Sequence, residues 1–202
     1  MIASLLSLSR ADIKALRVTD AYSVHRVVYS LYEDIRSEAE KQISAPSGIL
    51  YVDKGGEWNK RKILMLSNRS PRQPEYGQVE SKVISDAFLQ HDHYGFEVVI
   101  NPTKRDKKTG KTVALMGREV IAQWFINKAA DSWGFTIHPQ SLQIGNVGVK
   151  TFETKGHAIT QASATLLGKL SITDRDRFIQ SFQLGIGRGR AFGFGLLQLV
   201  PL

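Results

Sequence analysis

The feature that most constrains how this chain of 202 residues folds is its glycine-rich carboxy-terminal segment, GIGRGRAFGFGLLQLVPL. Five glycines stand within eleven residues, between a predicted helix and a predicted final strand: Gly185, Gly187, Gly189, Gly193 and Gly195. Glycine accepts positive φ angles, and its missing side chain lets backbone amides approach a ligand closely. The segment therefore predicts a compact loop that holds an anion such as a phosphate.

Arg188 and Arg190 add positive charge to this loop. A dinucleotide-binding loop is excluded because that motif follows a strand and opens a helix, whereas this loop follows a helix and leads into a strand. A Walker-type loop is excluded because no Gly-Lys-Ser or Gly-Lys-Thr ending is present. A tight connection in which the glycines only permit close packing remains the alternative.

The net charge of +8 is concentrated in the second half of the chain, where residues 93–202 carry +7 of it. Clustered cations favour a polyanion partner because binding neutralises phosphates and releases counterions. The segment NPTKRDKKTGKTVAL predicts a basic loop for phosphate contacts, and an ordinary solvated hairpin is its alternative. Its cations surround a single acidic residue, Asp106: Lys104, Arg105, Lys107, Lys108 and Lys111.

The first half of the chain predicts the order strand, helix, strand, strand, helix. A strand over residues 1–8 is followed by a long helix from Thr19 or Asp20 to about Gln42, then the strands GILYVD and KILML, and a short helix from Ser81 to Leu89. Apolar residues at helical spacing predict the buried stripe of the long helix: Val24, Val27, Val28, Leu31 and Ile35.

The second half predicts β-α-β-β-α-β, which is the ferredoxin-like pattern. Its elements are the strand YGFEVVINP, a helix over 118–132, strands over 135–144 and 156–171, a helix capped by Thr173 or Asp174, and the final strand GLLQLV. Because the first half approximates the same order, we expect an α+β protein of two tandem ferredoxin-like (RRM-like) βαββαβ domains, at residues 1–92 and 93–202.

Tyr22 and His25 stand three residues apart on the first long helix and so project from one face. This face is offset from the valine stripe, which predicts that His25 lies in a cleft or at the surface. Histidine exchanges protons near neutral pH, and a neighbouring phenol can orient a hydroxyl or share a proton. A surface histidine beside an aromatic helix face is the plainer alternative.

No metal site or cofactor is predicted. The chain has no cysteine, and the His91 and His93 pair is assigned to a solvated turn because it lacks further ligands at a diagnostic spacing. No specific partner is evident for His138 or His157. A basic leader and a long apolar span are both missing from the sequence, so we expect a cytoplasmic protein without membrane attachment.

Three segments together resemble the CRISPR-associated precursor-RNA endoribonucleases of the Cascade type, the family called CasE. GIGRGRAFGFGLLQLVPL resembles the terminal glycine-rich motif of this family, and DAYSVHRVVYSLY resembles its catalytic tyrosine-and-histidine helix. FEVVINPTKR followed by GKTVAL resembles its central strand and basic loop. The order and approximate spacing also agree, and the match spans nearly the whole chain.

The resemblance implies metal-independent cleavage of a CRISPR repeat hairpin at its base. It implies that the enzyme then keeps the product in a surveillance complex with other CRISPR subunits. Tyr22 and His25 take the catalytic positions, Arg26 is a phosphate contact, and the arginines and glycines of the terminal loop hold the RNA backbone. The allocation of acid and base between the two catalytic residues stays open.

One region departs from the family pattern. Members often carry a longer, more basic hairpin, whereas the corresponding segment here, VGVKTFETKGHAIT, offers only Lys150 and Lys155. Stem recognition is therefore expected to depend more on the basic loop. Two alternative functions remain: an RNA-binding subunit of such a complex without catalysis, and an enzyme that holds a small phosphorylated substrate in the glycine loop.

Overall fold

The computed structural model describes residues 1–43, 45–56, 60–154 and 157–202. Its first sheet has four antiparallel strands in the order β2-β3-β1-β4. The strands are β1 (Ile2–Ser9), β2 (Ile49–Asp53), β3 (Lys60–Ser67) and β4 (Gln78–Val83), and the helices are α1 (Arg10–Ala15), α2 (Ala21–Ser30) and α3 (Glu38–Gln42). This strand order is that of a ferredoxin-like unit.

The long helix predicted from Thr19 or Asp20 to Gln42 is wrong, since α2 ends at Ser30 and α3 begins at Glu38. Between them, the Asp34 carboxylate accepts bonds from the backbone N–H and the guanidinium of Arg36. Such local side-chain bonds compete with helical hydrogen bonds. Ile35, expected in the buried stripe, is 64% exposed.

The helix predicted from Ser81 to Leu89 is also wrong. Its first residues belong to β4, which pairs with β1, and only a 3-10 turn over Asp86–Leu89 follows. The first unit therefore crosses from β3 to β4 through residues 68–77 without a helix. Pro71 and Pro74 explain this because proline lacks the N–H that a helix interior requires.

The second sheet has the order β11-β5-β10-β8, with β9 pairing along β10 beyond β8. Its strands are β5 (His93–Ile100), β8 (Phe135–Ile137), β9 (Gln143–Thr154), β10 (His157–Ile172) and β11 (Gln198–Pro201). Helices α4 (Arg118–Lys128) and α5 (Arg175–Leu184) complete a second ferredoxin-like unit, and a separate hairpin of β6 (Thr103–Arg105) and β7 (Thr112–Ala114) follows β5.

Strands β9 and β10 form a longer ribbon than the sequence predicted. β10, with 16 residues, matches the strand predicted over 156–171. The strand predicted over 135–144 is instead β8 and the start of β9, whose 12 residues make the hairpin longer than the segment 147–160. β10 pairs with β5 only from Ala164 onward, so its first half pairs with β9 alone and extends past the sheet. This extension lies beside α2.

The two sheets share one hydrophobic core. Leu50, Val52 and Leu66 of the first sheet belong to the same buried cluster as Val98 and Leu196 of the second half. A second cluster on the opposite face of the first sheet anchors α2 through Val24, Val27 and Val28. Within the described residues, no helix is long and apolar enough to cross a membrane.

Candidate active site

Helix α2 presents its tyrosines and histidine at the edge of the first sheet. Its start is fixed by Asp20, whose carboxylate accepts a 2.8 Å hydrogen bond from the backbone N–H of Ser23. The buried valines face the core, so Tyr22, His25 and Tyr29 occupy the flank of the helix and are half-buried. The prediction that His25 lies away from the deep core is confirmed.

The imidazole of His25 is held by the glycine-rich loop. Its Nδ1 lies 2.7 Å from the carbonyl oxygen of Ala191. Because a carbonyl oxygen only accepts hydrogen bonds, Nδ1 carries the hydrogen, and Nε2 of the neutral ring keeps its lone pair. Burial lowers the pKa of His25, and the bond to Ala191 opposes this shift. The ring is therefore neutral at pH 7, with Nε2 as a base.

Aromatic rings surround this imidazole. The centroid of His25 lies 4.0 Å from that of Tyr29, 5.4 Å from Phe192 and 6.0 Å from Tyr22. Phe152 of β9 packs on Phe192 at 4.5 Å and so brings the β9–β10 ribbon to the site. This apolar wall is the cause of the lowered pKa, because it removes water from the charged form of the histidine.

Tyr51 of β2 contacts the same carbonyl. Its buried hydroxyl donates a 3.0 Å hydrogen bond to the oxygen of Ala191, and burial raises the pKa of this phenol, which keeps it protonated. Both lone pairs of the Ala191 oxygen are thus directed at side chains of the first sheet and its helix. The sequence reasoning missed Tyr51, which sits in an apolar strand and carries no motif.

The glycines give the loop the shape that delivers Ala191. Gly195 has a φ of +81°, and a Cβ built there would lie 2.2 Å from the carbonyl oxygen of Ile186. Gly193 lies against the ring of Tyr51, where a Cβ would come within 3.0 Å. At these positions the close-packing interpretation of the glycines is confirmed. Gly187 differs, since apart from its chain neighbours no atom of the described residues lies within 4 Å of its Cβ position.

Arg188 connects this loop to the basic hairpin of β6 and β7. It forms an isolated bridge with Asn101, and its guanidinium donates a 2.6 Å bond to the hydroxyl of Thr112. Arg190 instead donates a 2.8 Å bond to the carbonyl of Leu184 at the end of α5. The glycine-rich loop therefore contacts both of the other segments singled out in the sequence, α2 through Ala191 and the basic hairpin through Arg188.

The basic hairpin presents its five cations to solvent. Its turn is organised by Asp106, whose carboxylate accepts bonds from the backbone N–H groups of Lys108 and Thr109. These bonds lower the pKa of Asp106 and keep it charged. The exposed cations are Lys104, Arg105, Lys107, Lys108 and Lys111.

The remaining predicted binding residues differ in their positions. Lys150 is half-buried on β9, with its ammonium 4.5 Å from the centroid of the Phe194 ring, and desolvation lowers its pKa. Arg26 is exposed and donates a 3.3 Å bond to the carbonyl of Leu16 after α1, so it stands on another side of α2 from His25. Lys155 lies outside the described residues.

His93 and His138 lie together at the end of the second sheet where β5 begins, whereas His157 begins β10 in the extended ribbon. His93 is the first residue of β5, so its assignment to a turn is wrong. Its Nδ1 and the Nε2 of His138 lie 2.9 Å and 2.6 Å from the hydroxyl of Ser171, a partner that the sequence did not indicate. Within the described residues, no group of three or more potential metal ligands comes together.

Comparison with known proteins identifies the family. The profile of the family described as "CRISPR associated protein" matches residues 2–201, nearly the whole chain. The chain belongs to this family. The fold expected for a CasE-type member, two tandem ferredoxin-like domains, is confirmed by the two sheets and by the solved structures that resemble them.

The relatives of this family member include characterised proteins. The CRISPR-associated endoribonuclease Cse3 of Thermus thermophilus is 29% identical over 137 residues, which cover 62% of this chain and 64% of that relative. A structure of CRISPR endoribonuclease Cse3 bound to a 19-nucleotide RNA matches all of both chains with a TM-score of 0.81 at 21% identity. A chain of a CRISPR RNA-guided surveillance complex also matches over all of both chains, with a TM-score of 0.69 at 18% identity. At these identities the structural likeness establishes the shared fold.

Proposed function

We propose that this protein is a metal-independent endoribonuclease that cleaves CRISPR repeat hairpins in precursor RNA to give guide RNA. The observation that carries the proposal is the neutral His25, whose Nδ1 is bonded to Ala191 of the glycine-rich loop so that Nε2 keeps its lone pair, while Arg188 of the same loop contacts the basic hairpin. The Cse3 relative from Thermus thermophilus is named as an endoribonuclease of the same system. Side chains of this chain supply the acid and base that such cleavage needs.

The proposed reaction uses a nucleophile that the RNA itself provides. His25 Nε2 accepts the proton of a ribose 2′-hydroxyl, whose oxygen attacks the adjacent phosphorus and forms a 2′,3′-cyclic phosphate. The bond from phosphorus to the leaving 5′-oxygen breaks, and the Tyr22 hydroxyl protonates that oxygen to give a 5′-hydroxyl. The phenolate and the imidazolium then return to their starting states by exchange with water.

Several cations stabilise and position the RNA in this proposal. Lys150 is our candidate for stabilising the charge that develops on the phosphoryl oxygens, because its ammonium is partly desolvated beside the Phe194 ring. The other proposed RNA contacts are Arg26, Lys155, Lys104, Arg105, Lys107, Lys108 and Lys111, together with Gly185, Gly187, Arg188, Gly189 and Arg190 of the terminal loop.

We also propose that the protein keeps its product RNA and joins other subunits in a CRISPR surveillance complex in the cytoplasm. The fold shared with a chain of such a complex supports this assembly. The proposed division of labour places the catalytic helix in residues 1–92 and the basic hairpin and glycine loop in residues 93–202.

The proposal is tested by incubating the protein with a panel of repeat hairpins in EDTA and analysing the end groups of the products. We expect a 2′,3′-cyclic phosphate and a 5′-hydroxyl. His25→Ala should retain hairpin binding and lose cleavage, whereas His91→Ala, which changes an exposed histidine elsewhere, should cleave as the wild type does. If His25→Ala cuts at the wild-type rate, cleavage uses another site. If the wild-type protein binds the hairpins and cuts none of them, it is a non-catalytic RNA-binding subunit.

A further inference from the structure

Two cavities have Phe192 in their walls, one beside the start of α2 and one beyond its end. The smaller, of about 290 Å³, is lined by Asp20, Asp53 and Lys150 among others, and we call it the amino-end cavity. The larger, of about 530 Å³, is lined by Tyr29, Arg36, Lys41, Ser47, Arg190 and Ala191 among others, and we call it the carboxyl-end cavity. Both cavities therefore lie beside the helix that carries His25.

Charge distinguishes the two cavities as sites for a polyanion. The carboxyl-end cavity has three cations and no carboxylate among its described lining residues, whereas the amino-end cavity has two carboxylates and one lysine. Asp34 and Glu38 pair with Arg36 and Lys41 from outside the first, and Arg61 pairs with Asp53 beside the second. Even with these partners included, only the carboxyl-end cavity is positive.

The carboxyl-end cavity borders directly on the catalytic histidine. Tyr29 and Ala191, which belong to its wall, contact His25 at a ring-centroid distance of 4.0 Å and a hydrogen-bond distance of 2.7 Å. A phosphate placed for reaction at His25 therefore leaves the next nucleotide within reach of this cavity. The basic hairpin, by contrast, meets the glycine loop at Arg188.

The chemistry of the wall matches a single nucleotide. The volume of the carboxyl-end cavity falls within the range of about 300 to 1,000 Å³ that is usual for small-ligand sites. The rings of Tyr29 and Phe192 offer surfaces on which a base of any sequence can stack. The hydroxyls of Tyr29 and Ser47, 2.9 Å apart, provide polar groups for a ribose or base edge. Arg36 and Lys41 are placed to neutralise a phosphate.

We infer that the carboxyl-end cavity binds the unpaired nucleotide beyond the scissile phosphate, the one that leaves with the 5′-hydroxyl, while the hairpin stem lies on the side of β6 and β7. This inference rests on the proposed function. Its consequence is that the enzyme holds both sides of the bond it cuts, so that the RNA strand is extended across His25.

The test measures the affinity of wild-type protein for two repeat hairpins that carry a 2′-deoxy sugar at the attacking nucleotide and so cannot be cleaved. One ends in the scissile phosphate, and the other continues by one nucleoside that carries a 3′-phosphate, so it has one base and one phosphate more. We expect the longer RNA to bind about tenfold more tightly, as stacking of one base and contact with one phosphate allow. Equal affinities overturn the inference.

Variants locate the binding site of the added nucleotide. The double variant Arg36→Gln and Lys41→Gln should bind the shorter hairpin as the wild type does and lose the advantage of the longer one. A matched variant, Arg177→Gln and Lys128→Gln, changes two exposed cations elsewhere and should keep it. An advantage that persists in the cavity variant overturns the inference.

Two further measurements remove ambiguity. Arg36 also donates a hydrogen bond to the carbonyl of Ala45, and the single variant Lys41→Gln leaves that bond in place. This variant should reduce the logarithm of the tenfold affinity ratio by about a third to a half. The all-ribose form of the longer hairpin tests the proposed function separately. If the protein cleaves this RNA but binds the longer uncleavable hairpin no more tightly than the shorter one, the cavity assignment is wrong and the proposed function stands.

Discussion

The Nδ1 atom of His25 and the carbonyl oxygen of Ala191 lie 2.7 Å apart, although 166 positions separate the two residues in the chain. This hydrogen bond joins the helix that carries the proposed base to the glycine-rich loop. It also decides which ring nitrogen is free. The glycine loop therefore acts on the chemistry of the site through its backbone, in addition to any contact it makes with RNA.

The pH dependence of cleavage should follow the protonation of His25. Burial lowers its pKa below the ordinary value of 6.5, and a base works only when neutral, so the rate should be full above pH 6.5 and fall as the pH drops through the lowered pKa. The unfolded chain keeps the higher pKa, so stability should also decline as the pH falls below 6.5. A pH–rate profile measures the rate, an NMR titration measures the pKa of His25, and denaturant unfolding at several pH values measures the stability. A His25 pKa above 6.5 would contradict this assignment.

Tyr51→Phe should reduce cleavage without abolishing it. The substitution removes one hydrogen bond to the Ala191 carbonyl, a loss of about 0.5–1.5 kcal/mol that corresponds to about a twofold to tenfold slower reaction if it acts through the orientation of His25. The pKa of His25, measured by NMR, should change in the same variant. Tyr32→Phe is the matched control, because that buried hydroxyl is directed at the sulfur of Met65, at 4.0 Å, instead of at Ala191.

Two glycines of the loop should respond differently to alanine. Gly195→Ala places a Cβ against the carbonyl of Ile186 at a φ of +81° and should lower the free energy of unfolding by more than about 2 kcal/mol, with loss of cleavage. Gly187→Ala places its Cβ in open space among the described residues. It should lower the free energy of unfolding only by the cost of a positive φ at alanine, about 1 kcal/mol. Thermal unfolding and single-turnover cleavage compare them. Equal losses would show that packing of the loop is not the reason for its glycines.

The basic hairpin should govern affinity without governing the chemical step. Lys107→Gln and Lys108→Gln together should reduce the slope of log affinity against log salt concentration by about 1.5, since each phosphate contact releases nearly one counterion. The cleavage rate of fully bound hairpin should stay the same. Lys128→Gln, at the end of α4, serves as the control. An unchanged salt slope in the double variant would remove the hairpin from the RNA-binding surface.

The sequence predicted the elements that local signals define. Helix α2 begins after Asp20 as expected, because a capping carboxylate and a valine stripe are both short-range features. Asp174 likewise caps α5, and the element order predicted for the second half agrees with its sheet, whereas β4 of the first sheet lies partly where a helix was predicted. The interruption after Ser30 was missed because the pairing of Asp34 with Arg36 depends on the conformation of the turn itself.

Much of the proposed site depends on contacts between distant segments, and these left no signal in the sequence. Tyr51, Phe152 and Phe192 are ordinary apolar residues in their own segments and become a wall only when β2, β9 and the glycine loop meet at α2. Tyr22 and His25 were found because their spacing on one helix is local.

The fold of the glycine loop has a consequence for biosynthesis. Gly195 donates a 2.7 Å hydrogen bond to the carbonyl of Val99, and the loop presents Ala191 to a residue made 166 positions earlier. While residues 185–197 are still inside the ribosome, a nascent chain has α2 but lacks the carbonyl that orients His25. The proposed nuclease would thus be inert until this loop has emerged and folded onto α2.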